Sequence, residues 1–139
     1  MMARNMFKFY NNNPKELFSN DSYFRALALF FDTTWDDIAK MSFDYYLEHG
    51  VYLDSFDLSE QKPYLISYME NRGYKNIIPA LFPDIFCTDP QEITTLYPET
   101  QKGKYIFIDD RYAVTMIDGI IYDVENTSMF CFDYCYKSQ

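Results

Sequence analysis

Residues 104–125, KYIFIDDRYAVTMIDGIIYDVE, decide the fold class of this chain. Within them, Asp118-Gly119 is the strongest short-range signal for a two-residue β-hairpin. The strand-like pattern continues beyond this stretch, so the sequence predicts three or four antiparallel strands after Gly103. Their candidate positions are KYIFID (104–109), YAVTMI (112–117), IIYDVE (120–125) and MFCFDYCY (129–136).

Helical spacing of apolar residues dominates the chain before Gly103. Apolar side chains recur there every three or four residues, which predicts helices with one buried face. Thr34 and Asp89 are suitable N-caps, and Gly50 and Gly73 are suitable helix ends. The predicted helices cover about 22–31, 32–50, 60–72 and 88–96.

The order of these elements predicts an α+β fold, in which N-terminal helices pack on a C-terminal antiparallel sheet. With 139 residues, the chain is expected to form a single domain, residues 1–139. Residues 1–18 are expected to be an N-terminal tail or an edge strand, because MFKFY within them is strand-like.

Composition bears on the kind of partner. The chain has 21 Asp and Glu against 12 Lys and Arg, a net charge of −9. This charge argues against direct binding to nucleic acid or to an anionic membrane, and it suits a basic protein partner. Its 14 tyrosines and 13 phenylalanines are compatible with an aromatic binding surface. No apolar run approaches the roughly 20 residues of a membrane span, and no motif indicates a cofactor.

The three cysteines, Cys87, Cys131 and Cys135, are expected to serve in ordinary packing. Cys131 and Cys135 are four residues apart in a strand-like run and are expected to share one face of it. With His49 as the one histidine, the chain lacks the ligand number and spacing of a zinc site, so no metal is predicted. An odd number of cysteines without a signal peptide is typical of a reducing compartment, so a cytoplasmic location is expected.

Two segments carry a resemblance to a known family. NDSYFRALAL, residues 20–29, resembles the Asn-Asp-Cys-x-x-Arg-Ala opening of small papain-like cysteine-peptidase-fold proteins of phages and mobile elements. YAVTMIDGIIYDV, residues 112–124, is similar to the second half of that pattern, where a histidine opens a strand and a hairpin with Asp-Gly and then Tyr-Asp follows. The resemblance implies a papain-like fold over about residues 19–125.

The resemblance also implies positions for the catalytic groups. Ser22 falls where such a protein has its cysteine nucleophile, and Asp123 matches the orienting acid. Tyr112 falls on the histidine base, with Arg111 as the candidate if the register slips by one. The neighbouring residues of the first motif are also matched, namely Asn20, Asp21, Arg25 and Ala26.

The substituted chemistry argues against catalysis at these positions. A serine hydroxyl needs an adjacent general base, and neither a tyrosine nor an arginine supplies one at neutral pH. His49 lies near the predicted end of a helix, which is typical of a capping or dipole contact. No catalytic residue is therefore expected, and Ser22, Tyr112 and Asp123 are interpreted as a degenerate triad. From the residues alone, Ser22 is equally compatible with a helix cap.

These observations favour a catalytically inactive binding protein. The hypothesis is a phage or mobile-element inhibitor of a host protein with a basic nucleic-acid-binding groove, such as a CRISPR-type defence nuclease, acting in the bacterial cytoplasm. An active hydrolase or transferase that uses Ser22 or a cysteine is the first alternative, and a structural or assembly role is the second. The sequence does not indicate the oligomeric state.

Candidate contacts with the partner lie in two acidic and aromatic stretches, FDYYLEHGVYLDSFD (43–57) and IDDRY (108–112). Tight interfaces commonly combine buried aromatic side chains with a charged rim, which is the residue combination found in both. The residues predicted to bind are Asp44, Tyr45, Glu48, Tyr52, Asp54, Asp57, Asp109 and Asp110.

Overall fold

The computed structural model of the chain describes residues 6–15, 21–50, 58–84 and 87–139, with the backbone alone for 58–61. Helices and strands are both present, which confirms the predicted α+β class. The helices are α1 (Ser22–Phe30), α2 (Trp35–His49), α3 (Leu58–Glu70), α4 (Ile78–Leu81) and α5 (Pro90–Leu96), followed by a 3-10 turn at Pro98–Gln101. The strands are β1 (Phe7–Phe9), β2 (Lys104–Ile108), β3 (Ala113–Ile117), β4 (Ile120–Asp123) and β5 (Tyr134–Lys137).

The five strands form one sheet in the order β1-β4-β3-β2-β5. The pairs among β2, β3, β4 and β5 are antiparallel, whereas β1 runs parallel to β4. The predicted antiparallel strands after Gly103 are confirmed, but the sheet as a whole is mixed because β1 is added in parallel. The pairing of β1 was not predicted, because no hairpin connects β1 to β4. Residues 7–9 are the edge strand that was one of the two expectations for 1–18.

Helices cover both faces of this sheet. Ile106 and Ile108 of β2 pack into a cluster with α1, α2 and α3, which we call the first core. The alternate residues Tyr105 and Phe107 pack into a second core with α4 and α5. Because successive side chains of a strand point to opposite faces, an apolar run such as YIFI needs cover on both sides. The helices thus divide between two layers.

The helix caps that the sequence predicts are present in the structure. The Thr34 hydroxyl accepts a hydrogen bond from the backbone N–H of Asp37 at 3.1 Å, and α2 ends at Gly50 with φ of 78°. The Asp89 carboxylate accepts from the N–H of Glu92 at 2.7 Å. α3, predicted over about 60–72, instead begins at Leu58 and ends at Glu70, and it contains Pro63.

The Asp118-Gly119 hairpin is confirmed. Both residues have positive φ, 50° and 80°, as a type I′ turn requires. The run 129–136 was predicted as a strand, but only Tyr134 to Tyr136 of it belongs to β5. Phe132 instead forms an isolated bridge with Thr88. Of the helices that the structure describes, none combines the length and apolar character that crossing a bilayer requires.

Candidate functional site

The first residue of α1 meets the first residue of β3. The Ser22 Oγ atom accepts a hydrogen bond from the backbone N–H of Ala113 at 3.3 Å, and Ser22 is only 5% exposed. One turn further along α1, the Thr115 hydroxyl donates to the carbonyl of Ala26 at 2.7 Å. These contacts bring together the two segments that carry the resemblance, although 91 residues separate Ser22 from Ala113.

Asp21 precedes α1 and makes no side-chain capping bond to it. Its carboxylate is buried and accepts hydrogen bonds from three side chains instead. Asn13 and Trp35 donate to Oδ2 at 3.0 and 2.9 Å, and Arg25 donates to Oδ1 at 2.8 Å. Asp21 therefore joins the segment after β1 to the starts of α1 and α2.

Arg25 links Asp21 to Asp123, the residue that the resemblance matches to an orienting acid. Its guanidinium lies 3.3 Å from the Asp123 carboxylate, and its side chain is almost entirely buried. The carbonyl of Arg25 accepts a hydrogen bond from the Asn12 side chain at 3.0 Å. Asp123 is thus held by an arginine of α1, in the place where the resemblance would have an acid orienting a histidine. We call Asp21, Arg25 and Asp123 the buried ion network.

Burial disfavours the charged form of Asp123 and raises its pKa to about 6, although the nearby Arg25 opposes this shift. The backbone N–H of Val124 also donates to the carboxylate at 2.7 Å and favours the charged form. Desolvation outweighs both effects, as expected for a carboxyl group enclosed by protein.

Asp123→Asn tests this shift through the dependence of stability on pH. In the folded chain Asp123 takes up its proton near pH 6, whereas in the unfolded chain it does so near its ordinary value of 3.8. Between these pH values the folded state binds more protons, so wild-type stability rises as the pH falls. We expect the stability difference between the two proteins to change by about 2–3 kcal/mol between pH 7 and pH 4, measured by urea unfolding. If the free energy of unfolding of the two proteins depended on pH in the same way, the raised pKa of Asp123 would be contradicted.

Tyr112 is a backbone neighbour of Ser22, but its ring points away. The ring packs against Phe130 with 5.5 Å between centroids, in the second core. Ala113, one residue later, belongs to the first core and therefore shares the face of Ser22. Arg111, the alternative for the register, is exposed, and its guanidinium lies 3.5 Å from the Asp109 carboxylate. The structure thus brings Ser22 to the start of β3 without bringing the Tyr112 ring to it.

His49 lies at the far end of α2. Its ring stacks on Tyr45 with 4.1 Å between centroids, and Glu48 is its charged neighbour. Trp35, at the other end of α2, contacts Asp21 next to Ser22. At about 1.5 Å per residue, the 14 steps from Trp35 to His49 span about 21 Å. His49 is therefore remote from the Ser22 hydroxyl.

The cysteines differ from expectation. Cys87 and Cys131 form a disulfide, so ordinary packing is the wrong prediction for these two residues. The prediction erred because Cys131 precedes β5 and comes opposite Cys87 beside the bridge between Thr88 and Phe132. Cys135 is free, as expected of a packing residue, and its burial raises the thiol pKa well above the ordinary value. The disulfide also removes the support that an odd cysteine count gave to a reducing compartment.

Asp109 was predicted to bind a partner, but in the structure its contacts are with residues of this chain. It is buried, its Oδ1 atom accepts from the N–H groups of Arg111 and Tyr112 at 2.7 Å each, and its carbonyl accepts from the Tyr23 hydroxyl at 2.9 Å. Burial, with the carboxylates of Asp109 and Asp110 adding to it, raises the pKa of Tyr23. Asp109 therefore shapes the turn between β2 and β3.

Asp110 is exposed and belongs to an open groove beside this turn. The Lys62 ammonium bridges Asp110, at 2.8 Å, and Asp133. The groove has a volume of about 510 Å³ and is lined by Asn76, Cys87, Asp109, Asp110, Arg111, Cys131, Asp133 and Tyr134. Sequence reasoning missed Lys62 and Asp133, because they come from separate elements and no local pattern connects them.

The remaining predicted contacts concern α2 and the segment after it. Asp44 and Glu48 are exposed, as a binding role requires. Tyr45 is half-buried and packs near Tyr64 and Tyr68, with 6.4 Å between centroids in each pair. The other three predicted contacts, Tyr52, Asp54 and Asp57, lie outside the described residues. Within the described ranges, no three His, Cys, Asp or Glu side chains are arranged to hold a metal ion.

The structure is of the α+β class, and the start of α1 packs on β3, the central strand of a mixed five-stranded sheet. Comparison of the chain with protein-family models, with curated proteins and with solved structures finds no match.

Proposed function

We propose that this chain acts by binding another protein and not by catalysis. The single observation that carries the proposal is the environment of Ser22. Ser22 is 5% exposed, and its Oγ atom accepts the backbone N–H of Ala113. A serine nucleophile needs access for its substrate, which a residue buried to this degree does not offer.

The other groups that could do such chemistry support the same proposal. His49 is remote from Ser22, Cys87 and Cys131 are bonded to each other, and Cys135 is buried with a raised pKa. Asp123 is engaged by Arg25. Of the groups that the papain-like resemblance would assign to catalysis, Ser22 accepts the Ala113 N–H, Asp123 contacts Arg25, and the Tyr112 ring packs in the second core. We interpret the resemblance as a retained scaffold.

The charge of the chain supports the class of partner. A net charge of −9 favours association with a basic protein surface through long-range attraction. We therefore propose a host protein with a basic nucleic-acid-binding groove, with a CRISPR-type defence nuclease as the specific candidate. The chain would compete with nucleic acid for that groove, as a phage or mobile-element inhibitor would.

Ser22→Ala tests the non-catalytic proposal. We expect the variant to capture the same partner from a bacterial lysate as the wild type does. The substitution leaves the N–H of Ala113 without its acceptor, so we expect a loss of about 1–3 kcal/mol in the free energy of unfolding. Ser67→Ala, at an exposed position of α3, is the matched control and should change stability by no more than about 0.5 kcal/mol.

A hydrolysis assay on peptide and ester substrates completes the test. We expect no turnover from the wild type or from either variant. Turnover by the wild type that disappears in Ser22→Ala and persists in Ser67→Ala would establish the alternative, an active hydrolase.

A further inference from the structure

The outer face of α2 carries an apolar patch. Phe43 and Leu47 are 50% and 67% exposed, and they are four residues apart, so they lie next to each other on the helix. Tyr46 is also exposed and lies next to Phe43. It extends the patch around the helix towards the side on which Ala39 lies. The inner face of the same helix is buried through Ile38 and Ser42. The patch is therefore on the side of α2 that faces away from the first core.

Carboxylates line one side of this patch. Asp44 and Glu48 are exposed and four residues apart, so they form a parallel row about 100° further round the helix from Phe43 and Leu47. Asp36 and Asp37 add two exposed carboxylates in the first turn. Lys40 is the only lysine or arginine of α2, so the helix carries four carboxylates and one ammonium group.

We infer that this face of α2 is a docking surface for a protein that presents an amphipathic helix whose apolar face is edged by lysine or arginine. The inference rests on the proposed binding function and places its contact surface. Apolar side chains that become buried at the centre of an interface supply most of its affinity, and rim charges set the association rate and the choice of partner. A second copy of this chain is a poor occupant, because a net charge of −9 repels it and the carboxylate row would meet carboxylates.

The test uses two synthetic amphipathic helical peptides that share a leucine face. One has lysine flanks and the other has glutamate flanks in the same positions. We expect the lysine peptide to bind at least about tenfold more tightly than its glutamate counterpart, with amide chemical-shift changes centred on residues 43–48. Raising the salt concentration should weaken the lysine peptide selectively.

Matched variants locate the surface. Phe43→Ser with Leu47→Ser should weaken binding of the lysine peptide about tenfold or more, and Asp44→Asn with Glu48→Gln should weaken it and reduce its dependence on salt. The apolar control is Leu96→Ser with Met129→Ser, since these side chains are 57% and 73% exposed in a different part of the surface. The charge control is Glu99→Gln with Glu125→Gln, also at exposed positions. Both controls should bind like the wild type.

Three results with the peptides would overturn the inference. The lysine peptide could fail to bind at residues 43–48, the glutamate peptide could bind equally tightly, or the control variants could lose as much affinity for the lysine peptide as the patch variants. Self-association of the wild type that Phe43→Ser and Leu47→Ser abolish, seen by sedimentation equilibrium, would also overturn it, because the occupant would then be a second copy. The proposed function fails differently, through turnover that depends on Ser22, so the two failures are distinguishable.

Discussion

Replacing Arg25 by alanine is expected to lower the free energy of unfolding by about 3–5 kcal/mol at pH 7. Arg25 is the positive member of the buried ion network, and its guanidinium contacts Asp21 at 2.8 Å and Asp123 at 3.3 Å. Its removal leaves two carboxylates in a buried site without their counter-charge. Chemical denaturation monitored by the fluorescence of Trp35, which also contacts Asp21, gives the measurement.

Arg111→Ala is the matched control for this experiment. Arg111 also lies near a carboxylate, that of Asp109, but its side chain is 68% exposed. Exposed ion pairs contribute about 0–1 kcal/mol, so the control should be nearly as stable as the wild type. Equal losses in the two variants would contradict the prediction, because burial of the carboxylates would then make no difference to the loss.

The pH dependence of the Arg25→Ala effect gives a second check. Arg25 lowers the pKa of Asp123, so its loss should raise that pKa further above the wild-type value of about 6. Protonation of Asp123 then removes one of the two unpaired charges. We therefore expect the cost of Arg25→Ala to shrink as the pH falls from 7 to 5, whereas a purely steric effect would be independent of pH.

Those parts of the fold that depend on neighbouring residues were predictable from sequence. Asp118 and Gly119 adopt the backbone angles that their residue types favour, and Thr34 and Asp89 cap the helices that follow them. Each of these signals acts over two or three residues, so the surrounding fold has little opportunity to override it.

Those parts that depend on distant pairing were not predictable. The pairing of β1 with β4 and the disulfide between Cys87 and Cys131 join segments that no local pattern connects. The second helical layer could have been suspected, because YIFI in β2 is apolar on both faces. The apolar pattern of β2 nevertheless does not show which helices pack on which of its two faces.

In the candidate site, matching residues to a family by sequence position misses the observed contact by one residue. The resemblance placed Tyr112 where a base would be, and the structure does bring that part of the chain to Ser22. A strand sends successive side chains to opposite faces, so the contact falls on Ala113 while the Tyr112 ring enters the second core. Asp123, matched in the same way, reaches α1 through Arg25, which the resemblance assigned no chemical role.

The disulfide is the second feature whose loss should have a large effect. The bond between Cys87 and Cys131 joins the segment just before α5 to the segment before β5 across a sequence separation of 44 residues. Next to it, the backbones of Thr88 and Phe132 exchange hydrogen bonds at 2.9 and 2.8 Å. A cross-link of this span limits the freedom of the unfolded chain, and the loop-entropy relation gives about 4 kcal/mol at 25 °C.

We therefore expect Cys131→Ser to lower the free energy of unfolding by about 4 kcal/mol. Cys87→Ser with Cys131→Ser should lower it by the same amount, because the bond can be lost only once. A reducing agent should destabilise the wild type similarly and leave the double variant unchanged. Thiol titration of the denatured chain should find Cys135 alone without reductant and all three cysteines with it. Three titratable thiols without reductant, or losses in Cys87→Ser and Cys131→Ser that add up in the double variant, would mean that the two sulfur atoms are not bonded in solution. The segment before β5 would then be held to the α5 region by hydrogen bonds, among them those between the backbones of Thr88 and Phe132 and the one from the N–H of Gln91 to the carbonyl of Ser128.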